Sequence, residues 1–168
     1  MIVSLIAALA SDRVIGSASG KIPWDHPRDR VHFRTRTAGN WLLVGRRTYD
    51  EMEGWFGKRI PIVLTRDPDF RPFSPAHRVA RDPAAALALA RGNGAKELIV
   101  CGGAEIFASL LPFSDRLLLT RLDLVAQVPD PVRFPDFSKS GDWKLAYLEQ
   151  WSGDAENIAA RYEVHERV

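Results

Sequence analysis

The sequence has a single cysteine, Cys101, which excludes a disulfide framework and a zinc site built on thiolates. No apolar run approaches the roughly 18 residues that a membrane span needs, so no membrane partner is expected. Neither sign of charge dominates. Lys and Arg number 23 against 21 Asp and Glu, leaving a formal charge of +2. That is too mild to argue for nucleic acid, yet it suits a small anionic ligand if arginines cluster. The four histidines, His26, His32, His77 and His165, lack metal-ligand spacing, and no serine stands in a nucleophile-elbow context. Hydrolase and metal chemistry therefore find no support, and no metal is expected. The apolar start of the chain ends in Ala8-Leu9-Ala10 before Ser11, which imitates a signal-peptidase site. No Lys or Arg precedes it and Ser4 interrupts its short core, so a cytoplasmic protein is expected.

What is present is a globular composition: 168 residues, 46% hydrophobic, with five Trp. A chain of this length buries roughly 70% of its unfolded-state surface as one domain, here expected to span residues 1–168. Apolar runs at residues 2–9, 41–44, 60–64, 97–101 and 116–122 have the length of buried strands. Between them lie helix-like stretches. Residues 27–37 begin with Pro27 and carry Asp29 in the first turn, both favourable at a helix N-terminus. Residues 48–52 and 104–111 read similarly, and Asp82-Pro83 is an N-cap and first-turn proline for the Ala-rich residues 84–90, which Gly92 can end. Strands alternating with helices predict an α/β fold with a central, mostly parallel sheet flanked by helices. Residues 143–151 and 158–168 are strand-like around Ser152-Gly153-Asp154, predicting antiparallel C-terminal edge strands. The Pro-rich residues 67–75 read as a loop.

Three strands end alike. Residues 41–44 run into Gly45-Arg46-Arg47-Thr48, residues 60–64 into Thr65-Arg66, and residues 97–101 into Gly102-Gly103-Ala104. Ligands of parallel sheets bind outside the carboxyl ends of the strands. Glycines there let a phosphate approach the backbone, and arginines add charge-assisted donors. Each feature also has a plainer reading, since Gly-Gly after a strand is usually a tight turn and paired arginines are usually solvated. Their recurrence on one edge favours a dinucleotide with an extra phosphate. The second constellation is Ile22-Pro23-Trp24-Asp25-His26-Pro27-Arg28-Asp29. Asp29 and Phe33 share a helix face, so a carboxylate sits one turn from an aromatic ring and can pair with the amidine-like edge of a flat heterocycle. From spacing alone, Asp29 also fits a simple partner of the helix dipole with Phe33 in the core.

In order along the chain, several segments resemble the dihydrofolate reductase family. Residues 2–8 followed by Asp12-Arg13-Val14-Ile15-Gly16 are similar to its first strand and the start of its mobile loop, and Ile22-Pro23-Trp24 to the end of that loop. Residues 27–33 resemble its substrate helix and Gly45-Arg46-Arg47-Thr48-Tyr49 its first cofactor motif. Arg59, Ile62-Val63-Leu64-Thr65-Arg66, residues 101–107, Leu119-Thr120 and Phe134-Pro135-Asp136 complete the family's order.

The resemblance implies NADPH as cofactor and dihydrofolate as the small-molecule substrate, in a monomer. It places Asp29 on the pterin's amino group and ring nitrogen, supported by Thr120, with Ile22 and Trp24 of the loop beside the reacting ring. Backbone groups of Ile6 and Cys101 would complete the pterin edge, with Ala8, Phe33 and Phe107 packing nearby. Arg59 would pair with the substrate's glutamate carboxylate. NADPH would be lined by Ala8, Val14, Ile15 and Gly16, then by Gly45, Arg46, Arg47 and Thr48. Leu64, Thr65, Arg66 and Arg81 would follow, then Gly102, Gly103, Ala104, Glu105, Ile106 and Phe107. Arg46, Arg66 and Arg81 would surround the 2′-phosphate. The implied chemistry is hydride transfer to pterin C6 with protonation of N5. Two other readings are a riboflavin-pathway pyrimidine reductase, which would not require the segment 24–29 together with Thr120, and a non-catalytic nucleotide-binding module.

The chain departs from the family pattern at three places. Arg30 stands where an apolar side chain is common, and it either reaches the substrate's carboxylate tail or turns to solvent. Gly20-Lys21 lies in a loop one residue longer than in some relatives. In Asp130-Pro131-Val132, Pro131 has no N–H and Val132 no hydroxyl, so these side chains cannot fasten the mobile loop. The loop of residues 16–24 is then expected to keep one main arrangement or to move freely, its closure resting on other contacts.

Overall fold

The computed structural model describes residues 1–155 and 157–168. Its elements run β1 (Ile2–Leu9), β2 (Val14–Ser17), α1 (Pro27–Thr37), β3 (Trp41–Gly45), α2 (Arg46–Glu51), β4 (Ile60–Leu64) and β5 (Arg78–Ala80). They continue with α3 (Pro83–Gly92), β6 (Glu97–Gly102), α4 (Ala104–Leu110), β7 (Arg116–Leu122), β8 (Pro131–Arg133), β9 (Trp143–Trp151) and β10 (Ala160–Arg167). Eight strands form one sheet in the order β5-β4-β3-β6-β1-β7-β10-β9. The six from β5 to β7 pair in parallel, whereas β10 is antiparallel to β7 and to β9. The mostly parallel sheet with antiparallel C-terminal strands that the sequence predicts is the one observed.

The central strands are apolar along most of their length because both faces are covered, with Ser4 and Thr120 as buried polar exceptions. On one face Leu5, Leu43, Leu98, Val100, Leu117 and Leu119 pack with Ala86 and Ala90 of α3 and Phe107 and Leu110 of α4. On the other, Ile6, Leu42, Val44, Ile99 and Leu118 pack with Tyr49 of α2, Phe56 and the half-buried Phe33 of α1. Each such side chain, fully buried, contributes about 1.5–3 kcal/mol. Register then places the polar residues that matter. Ala8, Thr120 and Tyr162 lie opposite one another on β1, β7 and β10, two residues beyond Ile6 and Leu118, so Thr120 and Tyr162 belong to the α1 face.

Three short strands escape the sequence reading. β5 has three residues and follows the Pro-rich loop; the loop is ordered by Tyr49, whose hydroxyl meets His77 Nδ1 at 2.6 Å and accepts the Phe73 N–H at 2.9 Å. β2 and β8 pair only with each other, antiparallel, as a separate two-stranded sheet. α2 starts at Arg46, two residues before the predicted bound, since Gly45 serves as its N-cap. No described helix is long and apolar enough to cross a membrane.

Candidate active site

Asp29 sits in the first turn of α1, where Pro27 supplies the preset φ and the dipole favours an acid. The N-cap is unusual. His26, 2% exposed, accepts the Asp29 N–H on Nδ1 at 3.1 Å and therefore donates from Nε2 to the Ile158 carbonyl at 2.8 Å. This neutral imidazole ties the start of α1 to the loop between β9 and β10. Arg28 adds a second tie, its N–H meeting Asn157 Oδ1 at 3.3 Å. Burial pushes the Asp29 carboxyl above its ordinary range, opposed by the Thr120 hydroxyl and, when it is protonated, by His32. No ion pair reaches Asp29 among the described residues. A half-buried carboxylate beside one hydroxyl, without a guanidinium, keeps acceptor capacity for a ligand that brings its own donors.

Phe33 lies one turn along, with its ring centroid 5.2 Å from that of Trp55. Arg59 lies over the Trp55 ring, its guanidinium carbon 4.1 Å from the centroid. Arg59 also donates to Thr37 Oγ1 at 3.1 Å and to the Arg34 carbonyl at 3.0 Å, which fixes the direction of its fork. Trp24 and Cys101 pack against the same core cluster as Phe33. Burial pushes the Cys101 thiol up to about 12, so it is no nucleophile at neutral pH. Ile22 is 63% exposed on the loop.

At the carboxyl ends of β3 and β6 the glycines have distinct geometric reasons. A Cβ on Gly45 would lie 3.0 Å from Ile106, and one on Gly102, where φ is +110°, would lie 3.0 Å from the Phe107 ring. At Gly103, by contrast, a Cβ would meet nothing nearer than Thr48 Oγ1 at 3.9 Å, so the backbone there is open to a group the size of a phosphate. Gly102 and Gly103 are joined by a cis peptide bond. Around this edge the arginines are not equivalent. Arg46 pairs with Asp67 at 2.8 Å, Arg47 donates to the Ala18 carbonyl at 2.8 Å, and Arg81 caps the Thr65 carbonyl at 3.2 Å. Arg66 is exposed and has no hydrogen-bond or ion-pair partner among the described residues.

The loop of residues 16–24 is held mainly by backbone. Gly16 and Ser17 of β2 pair with Val132 and Pro131 of β8, and the Ala18 N–H donates to the Asp130 carbonyl at 3.0 Å. The contacts that the Pro131 and Val132 side chains cannot make are thus replaced by main-chain ones and by Arg47, which reaches the loop from α2. Ser17 N–H to the Lys21 carbonyl at 3.0 Å closes the turn.

The structure gathers Asp29, Thr120, Phe33, Arg59 and Trp24 on the α1 face and the glycines with Thr48, Thr65, Arg46 and Arg66 at the strand ends. Phe107 abuts Gly102 but is itself buried against Phe134, centroids 4.9 Å apart; Val14 is fully buried, and Arg30 turns outward to pair with Asp25. Residues the sequence reading passes over are Trp55, Asp67, His26 as a cap and His32. A tryptophan four residues before an arginine was the only available signal for the first of them.

Comparison with known proteins agrees with this geometry. A family model described as dihydrofolate reductase matches residues 2–167. Dihydrofolate reductase type 3 of Salmonella typhimurium is 33% identical over 162 residues, covering 96% of each chain. Dihydrofolate reductase of Bacillus subtilis is 31% identical over 157 residues, covering 92% of this chain and 88% of its own. The solved structure of dihydrofolate reductase from Enterococcus faecalis, complexed with NADP(H) and RAB-propyl, superposes with a TM-score of 0.86 at 28% identity, over 99% of this chain and 96% of the other. With an α/β sheet, strand-end glycines and a first-turn helix carboxylate in the family's order, the chain belongs to the dihydrofolate reductase family.

Proposed function

We propose that this chain reduces 7,8-dihydrofolate to 5,6,7,8-tetrahydrofolate with NADPH, the hydride going to pterin C6 and a proton to N5, and so supports one-carbon metabolism. The observation that supports the residue-level reading is the half-buried Asp29 carboxylate, beside Thr120 and free of any guanidinium among the described residues. Such a group binds the amino and ring N–H donors of a pterin in pairs, and its negative charge favours the protonated, more electrophilic ring. Phe33 and Trp24 pack on the ring, and Arg59, steadied by Trp55 and Thr37, takes the glutamate carboxylate.

The open backbone at Gly103 and the glycines at the ends of β3 and β6 fit the phosphates of a dinucleotide. Arg66, Arg46, Thr65 and Thr48 would hold NADPH there, with the two arginines on the 2′-phosphate. When bound, this cofactor supplies the hydride. Asp29 orients and polarises the ring, and a water delivers the N5 proton. Ile22 and Trp24 at the end of the loop limit which waters reach that atom. We read the protein as a cytoplasmic monomer of one domain, without nucleic-acid or membrane partners.

The test is to mix the protein with NADPH and dihydrofolate and follow the loss of nicotinamide absorbance. Oxidation that requires dihydrofolate, and that a riboflavin-pathway pyrimidine does not support, is expected. NADPH consumed only with the pyrimidine, or not at all, would overturn the reading.

A further inference from the structure

A cavity of about 580 Å³, open to solvent, lies between α1 and the strands β7, β10 and β9. Register builds its floor in rungs. Arg116 lies opposite Glu166, Leu118 opposite Val164, and Val164 in turn opposite Tyr147 of β9. The apolar rung of Leu118, Val164 and Tyr147 thus has a charged rung on one side. On the other side Tyr162 carries the His32 ring, centroids 4.1 Å apart. The remaining wall is α1, which contributes His32 and, one turn further on, Arg36. Asp29, Phe33 and Arg59 do not line this space, so it is separate from the proposed pterin site.

Arg36 stands out among the charges here. Arg116 pairs with Glu166 at 3.2 Å and Arg28 with Glu149 at 2.8 Å, which engages both carboxylates that line the cavity. The Arg36 side chain has no ion pair or hydrogen bond among the described residues, and its Nε is buried without an acceptor. A place in the last turn of α1 suits the helix dipole, as it does for Arg34. Arg34 stays exposed, however, and the dipole gives no reason for a guanidinium N–H to leave water unpaired. A buried donor of this kind costs free energy unless another state of the protein satisfies it.

We propose that this cavity is a binding site for a small aromatic carboxylate, held by Arg36 and seated on the Leu118–Val164 rung. Its volume falls within the range of small-molecule sites. A carboxylate takes two parallel N–H bonds from one edge of a guanidinium, and the side-on edge includes Nε, the atom that lacks an acceptor. Turning of the fork into the cavity on binding satisfies that atom. The flat body of the ligand packs on Leu118 and Val164 and against the rings of Tyr147 and Tyr162. One unneutralised guanidinium matches one negative charge, since a second would face Glu149 and Glu166. The site does not depend on the assignment of Asp29 to the pterin.

The probe is benzoate, titrated into the protein at about pH 8, where an ordinary histidine is neutral, and followed by NMR of the His32 ring protons. A saturable shift is expected, with half-saturation at about 1 mM or below. Benzamide has the ring without the charge and acetate the charge without the ring; each should bind at least about tenfold more weakly. Arg36→Gln should weaken benzoate by roughly tenfold or more. Ala146→Glu, at an exposed position on the cavity wall, should abolish binding by adding a like charge without touching the core, which keeps the test decisive if Arg36→Gln fails to fold. Arg59→Gln should leave the titration unchanged. A shift that survives in Arg36→Gln and Ala146→Glu but vanishes in Arg59→Gln would put benzoate in the pterin cleft and overturn the proposal. So would the absence of a saturable shift, or acetate acting as strongly as benzoate.

Discussion

Replacing Glu163 with Gln is expected to destabilise the protein by about 2 kcal/mol at neutral pH and by almost nothing in strong acid. Glu163 lies on β10, its side chain 9% exposed, in the strand that carries Tyr162 and pairs with the Thr120 strand. Arg121 Nε donates to it at 2.6 Å, Arg161 Nε at 2.7 Å and His165 Nε2 at 2.9 Å. Burial is the largest single influence and pushes its carboxyl up, but the three donors together prevail and hold it at about 2, below the ordinary 4.5. At about 1.4 kcal/mol per unit that depression is worth roughly 3 kcal/mol. Because the Arg121 and Arg161 side chains are 23% and 53% exposed, screening reduces this to the smaller figure of about 2. The folded-state pKa lies below the unfolded one, so the stabilisation is complete above pH 4.5 and is largely lost as pH falls to about 2. Urea unfolding of wild type and Glu163→Gln at neutral pH and near pH 2 gives the comparison, with m expected unchanged. Near pH 2 the folded wild-type carboxyl is about half protonated, and only about 0.4 kcal/mol of the difference should remain. A gap of equal size at both pH values, or none at neutral pH, would refute the reasoning.

Three other outcomes follow from the same geometry. Arg66→Ala should weaken NADPH by roughly tenfold or more at low salt, as loss of a charge-assisted contact to phosphate implies, and leave NADH unchanged; Arg46→Ala should cost less because Arg46 already engages Asp67. Equal losses for both cofactors in steady-state kinetics would contradict this. Gly102→Ala should lower stability by about 1–3 kcal/mol, since φ is +110° and the new Cβ would press on Phe107; an unchanged Tm would refute it. Arg30→Leu should change stability by less than about 0.5 kcal/mol, because its pair with Asp25 is exposed, and should leave KM for dihydrofolate unaltered. A severalfold rise in that KM would show that Arg30 reaches the substrate after all.

The long strands were legible because a sheet covered on both faces demands unbroken apolar runs, and residues 2–9, 60–64 and 116–122 become strands with those bounds. β2, β5 and β8 were not, because three or four residues carry no measurable period and β8 opens with a proline. At the site, Asp29 and the strand-end glycines could be picked out since each answers a local need, an acid in a first turn or a backbone without Cβ. The division of labour among arginines was hidden. Whether Arg46, Arg47, Arg66 or Arg81 is available depends on where Asp67, the Ala18 carbonyl and the Thr65 carbonyl come to rest in space. His26 was equally opaque as a cap, because imidazole is outside the usual Ser, Thr, Asp and Asn set and works here only because Ile158, 132 residues away, fixes its tautomer.

The central claim is that the half-buried carboxylate of Asp29 acts on the pterin, and Asp29→Asn tests it most directly because the amide keeps the shape and discards the charge. Steady-state reduction of dihydrofolate by NADPH is measured for both proteins at neutral pH, with NADPH affinity determined separately by titration. The account predicts a loss of more than roughly tenfold in kcat/KM, about 1.4 kcal/mol of transition-state stabilisation, with NADPH affinity and Tm close to wild type. A variant that reduces dihydrofolate at the wild-type rate would contradict it.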